Sequence, residues 1–159
     1  MEKRRSIIVG AITIVLTLFL LGSVFGLMRY LNHQAERSSE MHQRLDRELS
    51  EIQNAPGTAQ VQHVDAFRGS HGNVANYYKS SLSYDAIRAY YDEELKKRGW
   101  KFKQENKLET WGKDLGESLR IYCKNPLAAD IYFTGKNQMV KGYTYSLSVS
   151  WRVVDECGE

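Results

Sequence analysis

Two cysteines, four histidines and one dense run of basic residues are where this 159-residue chain could do chemistry. Cys123 and Cys157 have no C-x-x-C spacing, which argues against thioredoxin-like exchange, and the expected use is a disulfide. Closing a loop of about 35 residues would contribute about 3 to 4 kcal/mol in the chain-entropy model by pinning the C-terminal tail. The alternative is two unpaired thiols, one of them in the core. The histidines are His33, His42, His63 and His71, with Asp65 and Ser70 near the last two. Ser70, His71 and Asp65 are the residues a hydrolase would have to use as nucleophile, base and orienting acid, but G-x-S-x-G is absent. His63, Asp65 and His71 are the matching metal set, without the dense spacing of a zinc site. The simpler reading of Gly69-Ser70-His71-Gly72-Asn73 is a turn. Gly112, Gly116, Gly135 and Gly142 are scattered and form no phosphate loop. No catalytic residue, metal ligand or cofactor is assigned, and an enzyme is not expected.

The basic run comprises Lys96, Lys97, Arg98, Lys101 and Lys103, with Lys107 beyond Glu105. Its first three members complement the end of a helix, and Lys101, Lys103 and Lys107 are placed on one strand face. A solvated face is the default reading, and contact with an anionic lipid or envelope polymer is the functional one. A formal net charge of +3, from 22 basic and 19 acidic residues, is too small for a dedicated polyanion binder. Nucleic acid is not an expected partner.

These residues need a frame, and residues 58–159 supply an expected α+β domain. Ser83 caps a helix that carries Ile87, Tyr91 and Leu95 on one stripe and stops at Gly99. Alternation of Tyr143, Tyr145, Leu147, Val149, Trp151 and Val153 with polar residues marks the best strand. Leu119, Ile121 and Cys123 alternate with Arg120, Tyr122 and Lys124, then follow Asn125-Pro126 and a strand with Ile131 and Phe133. A weaker strand follows Trp100, and two more flank the turn at residues 69–73. The expected order is β-β-α-β-β-β-β, an antiparallel sheet with one main helix in two layers.

The stretch Tyr77 to Trp100, with Tyr78, Ser80, Ser83, Ile87, Tyr91, Leu95, Gly99 and Trp100 in place, resembles a pattern in small, uncharacterised bacterial membrane-anchored envelope domains. In these a Tyr-containing strand runs into a Ser-capped helix ending in Gly-Trp. The resemblance covers about 24 residues of cap and core positions. It implies fold and location, and carries no catalytic residue.

Ahead of this domain, residues 7–28 contain no ionisable side chain, and Lys3, Arg4 and Arg5 precede them. The expectation is a single-pass transmembrane signal anchor in the inner membrane, contacting the bilayer through 7–28. Residues 1–6 would be the cytoplasmic N-terminus and 58–159 a periplasmic, extracytoplasmic domain. Gly22 and Gly26 form a G-x-x-x-G pair. Residues 29–57 read as a helical stalk or linker. A weak heptad there offers a homodimer, while Met41, Leu45, Leu49 and Ile52 offer a stripe for packing on the chain's own domain. The expected function is a non-catalytic, membrane-anchored envelope protein that binds or scaffolds another envelope component. The envelope hydrolase or metal module using Ser70, His71 and Asp65 is one alternative, and a pilin-like assembly subunit is another.

Overall fold

The computed structural model describes residues 2–68, 71–110, 112–151 and 157, with the side chains of 2–18, 20, 34, 35, 37 and 110 outside that description. Helix α1 runs from Glu2–Glu51, and the chain divides into two compact units, Met1–Ser39 and Glu40–Glu159. The first unit is helical throughout its described length. Its side chains at Phe19, Phe25 and Met28 are exposed, and nothing lies within 4 Å of a Cβ built on Gly22 or Gly26.

Among the described residues no helix is long and apolar enough to cross a membrane. This corrects the expected transmembrane helix over 7–28, and with it the signal anchor and the single-pass inner-membrane placement of the chain. Within that stretch the described side chains are those of Phe19 and of residues 21–28, which run directly into Arg29. The side chains of 7–18 lie outside the described residues.

The second unit holds one six-stranded antiparallel sheet. Its strands are β1 (Thr58–Arg68), β2 (His71–Ser80), β3 (Lys101–Thr110), β4 (Lys113–Lys124), β5 (Leu127–Phe133) and β6 (Tyr145–Trp151). Helix α2 (Tyr84–Lys97) stands between β2 and β3, and the short α3 (Gln138–Lys141) between β5 and β6. The order across the sheet is β1-β2-β6-β5-β4-β3, so β6 closes the centre and β1 and β3 form the edges. Both edge strands carry irregularities in register, between Gln60 and Gln62 in β1, and between Phe102 and Gln104 and again at Leu108 and Glu109 in β3.

The caps of α2 follow from its sequence. The Ser83 hydroxyl accepts from the Ala86 N–H at 3.3 Å. At the other end Gly99 takes φ +82°, while the Trp100 N–H reaches Leu95 O at 3.0 Å and the Gly99 N–H reaches Lys96 O at 3.1 Å. That Schellman closure needs a left-handed residue, which glycine supplies without a steric cost.

One face of the sheet carries the main core. Val74 and Tyr78 of β2, Tyr145, Leu147, Val149 and Trp151 of β6, and Leu127, Ala129 and Ile131 of β5 pack with Ile87, Tyr91 and Leu95 of α2. Leu45 and Leu49 of α1, and Ile52 just after it, are buried in the same core, so the last turns of α1 share the helical layer with α2. Those three positions of the heptad are therefore filled by the chain's own domain. Tyr78, Tyr91, Tyr122 and Tyr145 all serve as core: the rings of Tyr78 and Tyr145 stack at 4.9 Å, and the Tyr91 and Tyr145 hydroxyls meet at 3.1 Å. The Tyr78 hydroxyl donates to Asn54 Oδ1 at 2.6 Å, and burial pushes its pKa up to about 12. On the opposite face Ile121, Ala128 and Cys157 make a smaller cluster. There Cys123 and Cys157 are joined in a disulfide with a Cα–Cα distance of 5.4 Å, which ties Cys157 to β4.

Candidate functional site

The end of α2 and the start of β3 enclose a cleft of 390 Å³ lined by Asp92, Lys96, Trp100, Lys101, Phe102, Arg120 and Tyr122. The Schellman turn at Gly99 determines its shape, because it sends the chain from the helix end directly into β3. Lys96 lies on the exposed side of α2 and Lys101 on the edge strand. Phe102 is 51% exposed, while Trp100 and Tyr122 are buried. The lining thus combines three cations and one carboxylate with an aromatic floor.

Arg120 organises the inner wall. Its Nε donates to the Tyr122 hydroxyl at 2.9 Å, and its Nη2 donates to Asp92 Oδ1 and Oδ2 at 2.7 and 3.0 Å. Its Nη1 donates to Glu105 Oε2, and its guanidinium carbon stands 4.1 Å from the centre of the Phe102 ring. The Tyr122 hydroxyl donates in turn to Asp92 Oδ1 at 2.6 Å. Burial alone would lower the arginine pKa, but the bonds to Tyr122 and Asp92 outweigh it and hold the group above its ordinary value. The neighbouring Tyr84 hydroxyl, together with Arg120, holds Glu105 below the usual carboxylate range against the opposing effect of burial. Burial, with Asp92 beside it, raises the Tyr122 phenol above its ordinary value. Asp92 and Arg120 are thus committed to each other, which leaves the charges of Lys96 and Lys101 to set how the cleft meets an outside group.

The basic run is split by the fold. Lys96 and Lys101 line the cleft. Lys97 is drawn to Glu93 at 3.9 Å, and Arg98 Nε donates to the buried Glu94 Oε1 at 2.7 Å. Lys103 falls at the irregularity between Phe102 and Gln104, so Lys101 and Lys107 do not share a face. Lys101 stands opposite Cys123, and Lys107 opposite Ser118 on the side of Arg120. That corrects the expected single stripe: the extra residue of the bulge reverses which way later side chains turn.

The hydrolase set is not assembled among the described residues. Asp65 pairs with Val74 on the helix-bearing side, where it meets His42, whereas His71 pairs with Arg68 and falls on the other side of the same hairpin. Ser70 lies outside the described residues. His63 Nδ1 is 2.8 Å from Asn76 Oδ1.

A second, more open groove of 670 Å³ is lined by Lys79, Ser80, Gln138, Met139, Tyr143 and Thr144 among others. Beside it Met139 and Val140 on α3 are 90% and 87% exposed, and Tyr143 packs edge-on against Tyr77 at 4.7 Å. Sequence reasoning reached Lys96 and Lys101 but missed Asp92, Phe102, Arg120 and Tyr122 as a unit. The available signal was an arginine and a tyrosine two residues apart on one strand, which share a face by strand periodicity.

No known protein family, curated protein or solved structure matches this chain, so the reading of the cleft rests on its own geometry.

Proposed function

We propose that the second unit is a non-catalytic binding module, and that the cleft between α2 and β3 holds an anionic group of an envelope polymer. The observation that carries this reading is a lining that brings Lys96 and Lys101 into one cleft with a half-exposed Phe102, beside a wall whose own charges are mutually engaged. Lysines attract a carboxylate or phosphate, and the aromatic ring accepts the apolar face of a sugar or similar ring beside it. The volume is within the range of small-ligand sites.

The test is calorimetric titration of the full chain with polygalacturonate, a carboxylate-bearing glycan, at low and high salt. Binding that weakens with salt and falls about tenfold in a Lys96→Gln, Lys101→Gln double variant is expected, since two exposed charges act through a screened field. Equal affinity in the double variant, or no binding by the wild type, would remove this reading.

A second reading concerns the α3 groove. Met139 and Val140 present apolar side chains to solvent beside Tyr143, which favours scaffolding of a protein partner there. Photo-crosslinking from position 139 in cells distinguishes the two: a discrete protein adduct at 139 supports it, and none removes it.

A further inference from the structure

His42 and Asp46 stand one turn apart on α1, at the spacing that puts two side chains on one helix face, and Asp65 reaches the same point from β1. His42 Nε2 is 2.7 Å from Asp65 Oδ2 and 3.8 Å from Asp46 Oδ2. One ligand atom from each of the three residues lies within 4.8 Å of the other two.

Two features separate this group from an ordinary surface pair. The imidazole is held by stacking, since its ring lies 4.8 Å from that of Phe67 at 27°, and Phe67 in turn stacks on Trp151 at 6.3 Å and 12°. Its orientation is thus supported by an aromatic column running into the core, as a preorganised ligand requires. In addition, two carboxylates converge on one ring nitrogen, which as an N–H can donate in line to only one of them. Ligands around a tetrahedral zinc ion at about 2.0 to 2.1 Å are about 3.3 Å from one another, and the two separations from Nε2 bracket that value. Two carboxylates and a neutral imidazole also match the charge of a dication.

We propose that His42, Asp46 and Asp65 form a binding site for a divalent first-row cation, with zinc as the best match and water completing the coordination. One nitrogen and two oxygens suit zinc or its neighbours better than calcium or magnesium, which take all-oxygen sets. The ion would tie the last turns of α1 to the β1–β2 hairpin. This assignment is independent of the cleft at α2, with which it shares no residue.

The test uses the full chain stripped with chelator and titrated with zinc chloride by calorimetry near neutral pH. One equivalent is expected to bind and to raise Tm, because an ion that binds only the folded state stabilises it by mass action. Affinity should fall about tenfold or more in His42→Ala and in Asp65→Asn, and stay within about twofold in His63→Ala. Asp46→Asn, at an exposed position that supports no packing, keeps the fold and should weaken zinc to a similar degree. No zinc binding by the wild type, or unchanged affinity in Asp46→Asn or His42→Ala, overturns the proposal.

Discussion

Tyr122 donates its hydroxyl to Asp92 Oδ1 at 2.6 Å, and so fastens the C-terminal end of β4 to the third turn of α2. The same hydroxyl accepts from Arg120, so a phenol, a guanidinium and two carboxylates close into one network at the junction of sheet and helix. Each member satisfies a group that burial would otherwise leave costly.

Removing Arg120 should therefore harm more than its exposed surface suggests. Arg120→Ala is expected to cost about 2 to 4 kcal/mol, below the full cost of orphaning a buried pair because Asp92 is partly open to water. Chemical denaturation gives the value. Tyr122→Phe, which keeps the ring and loses the hydroxyl, should cost about 1 to 3 kcal/mol, and the double variant should cost less than the sum.

Stability should fall in acid for an identifiable reason. Glu94 Oε1 accepts from the Gln53 N–H at 3.0 Å and from Arg98. Burial, the largest single influence, would raise its pKa, but these bonds and the positive charge together hold it below its ordinary value of 4.5. A carboxyl whose folded value is depressed stabilises the fold above its unfolded pKa, and that contribution is lost as pH falls through the folded one. Tm should be flat above about pH 5 and decline below it. In Glu94→Gln the decline should be shallower, starting from a baseline about 1 to 3 kcal/mol lower.

The disulfide closes a loop with a sequence separation of 34. Cys157→Ser is expected to lower stability by about 4 kcal/mol in the chain-entropy model. Alkylation before and after reduction, followed by intact mass, should show two thiols only after reduction. Two labelled thiols in the unreduced protein would contradict the bond.

Core truncation supplies the reference scale. Leu95→Ala and Leu45→Ala remove fully buried side chains from α2 and α1, and each should cost about 2 to 5 kcal/mol in denaturation. A near-neutral Leu45→Ala would show that α1 contributes little to the second unit.

Period-two and period-3.6 patterns made particular elements readable. Tyr145, Leu147, Val149 and Trp151 alternate with serines, and Ser83 and Gly99 bracket α2 with known cap chemistry. Alternation is silent, however, about which set faces the helices. In β4 it is Arg120 and Tyr122 that lie beneath α2, while Ile121 and Cys123 turn to the face covered by Cys157. A strand with partners on both sides has no uniquely apolar face, so alternation alone does not place the site's arginine. The bulge in β3 was equally hidden, because one inserted residue leaves no compositional mark. His42 and Asp65 are 23 residues apart, and only the folding of the hairpin onto α1 brings them together.

The irregular edges of the sheet bear on how copies of this chain meet. A flat outer strand offers its free amides and carbonyls to any neighbouring chain and seeds fibrils. Here the outer strands are broken in register at Gln60/Gln62 and at Phe102/Gln104, and they carry Asp65, Arg68, Lys101, Lys103 and Lys107. A second copy docking strand to strand would meet a kinked template and would have to strip water from these charges. The six-stranded sheet is thereby guarded against end-to-end growth, even where the chain is crowded at high local concentration.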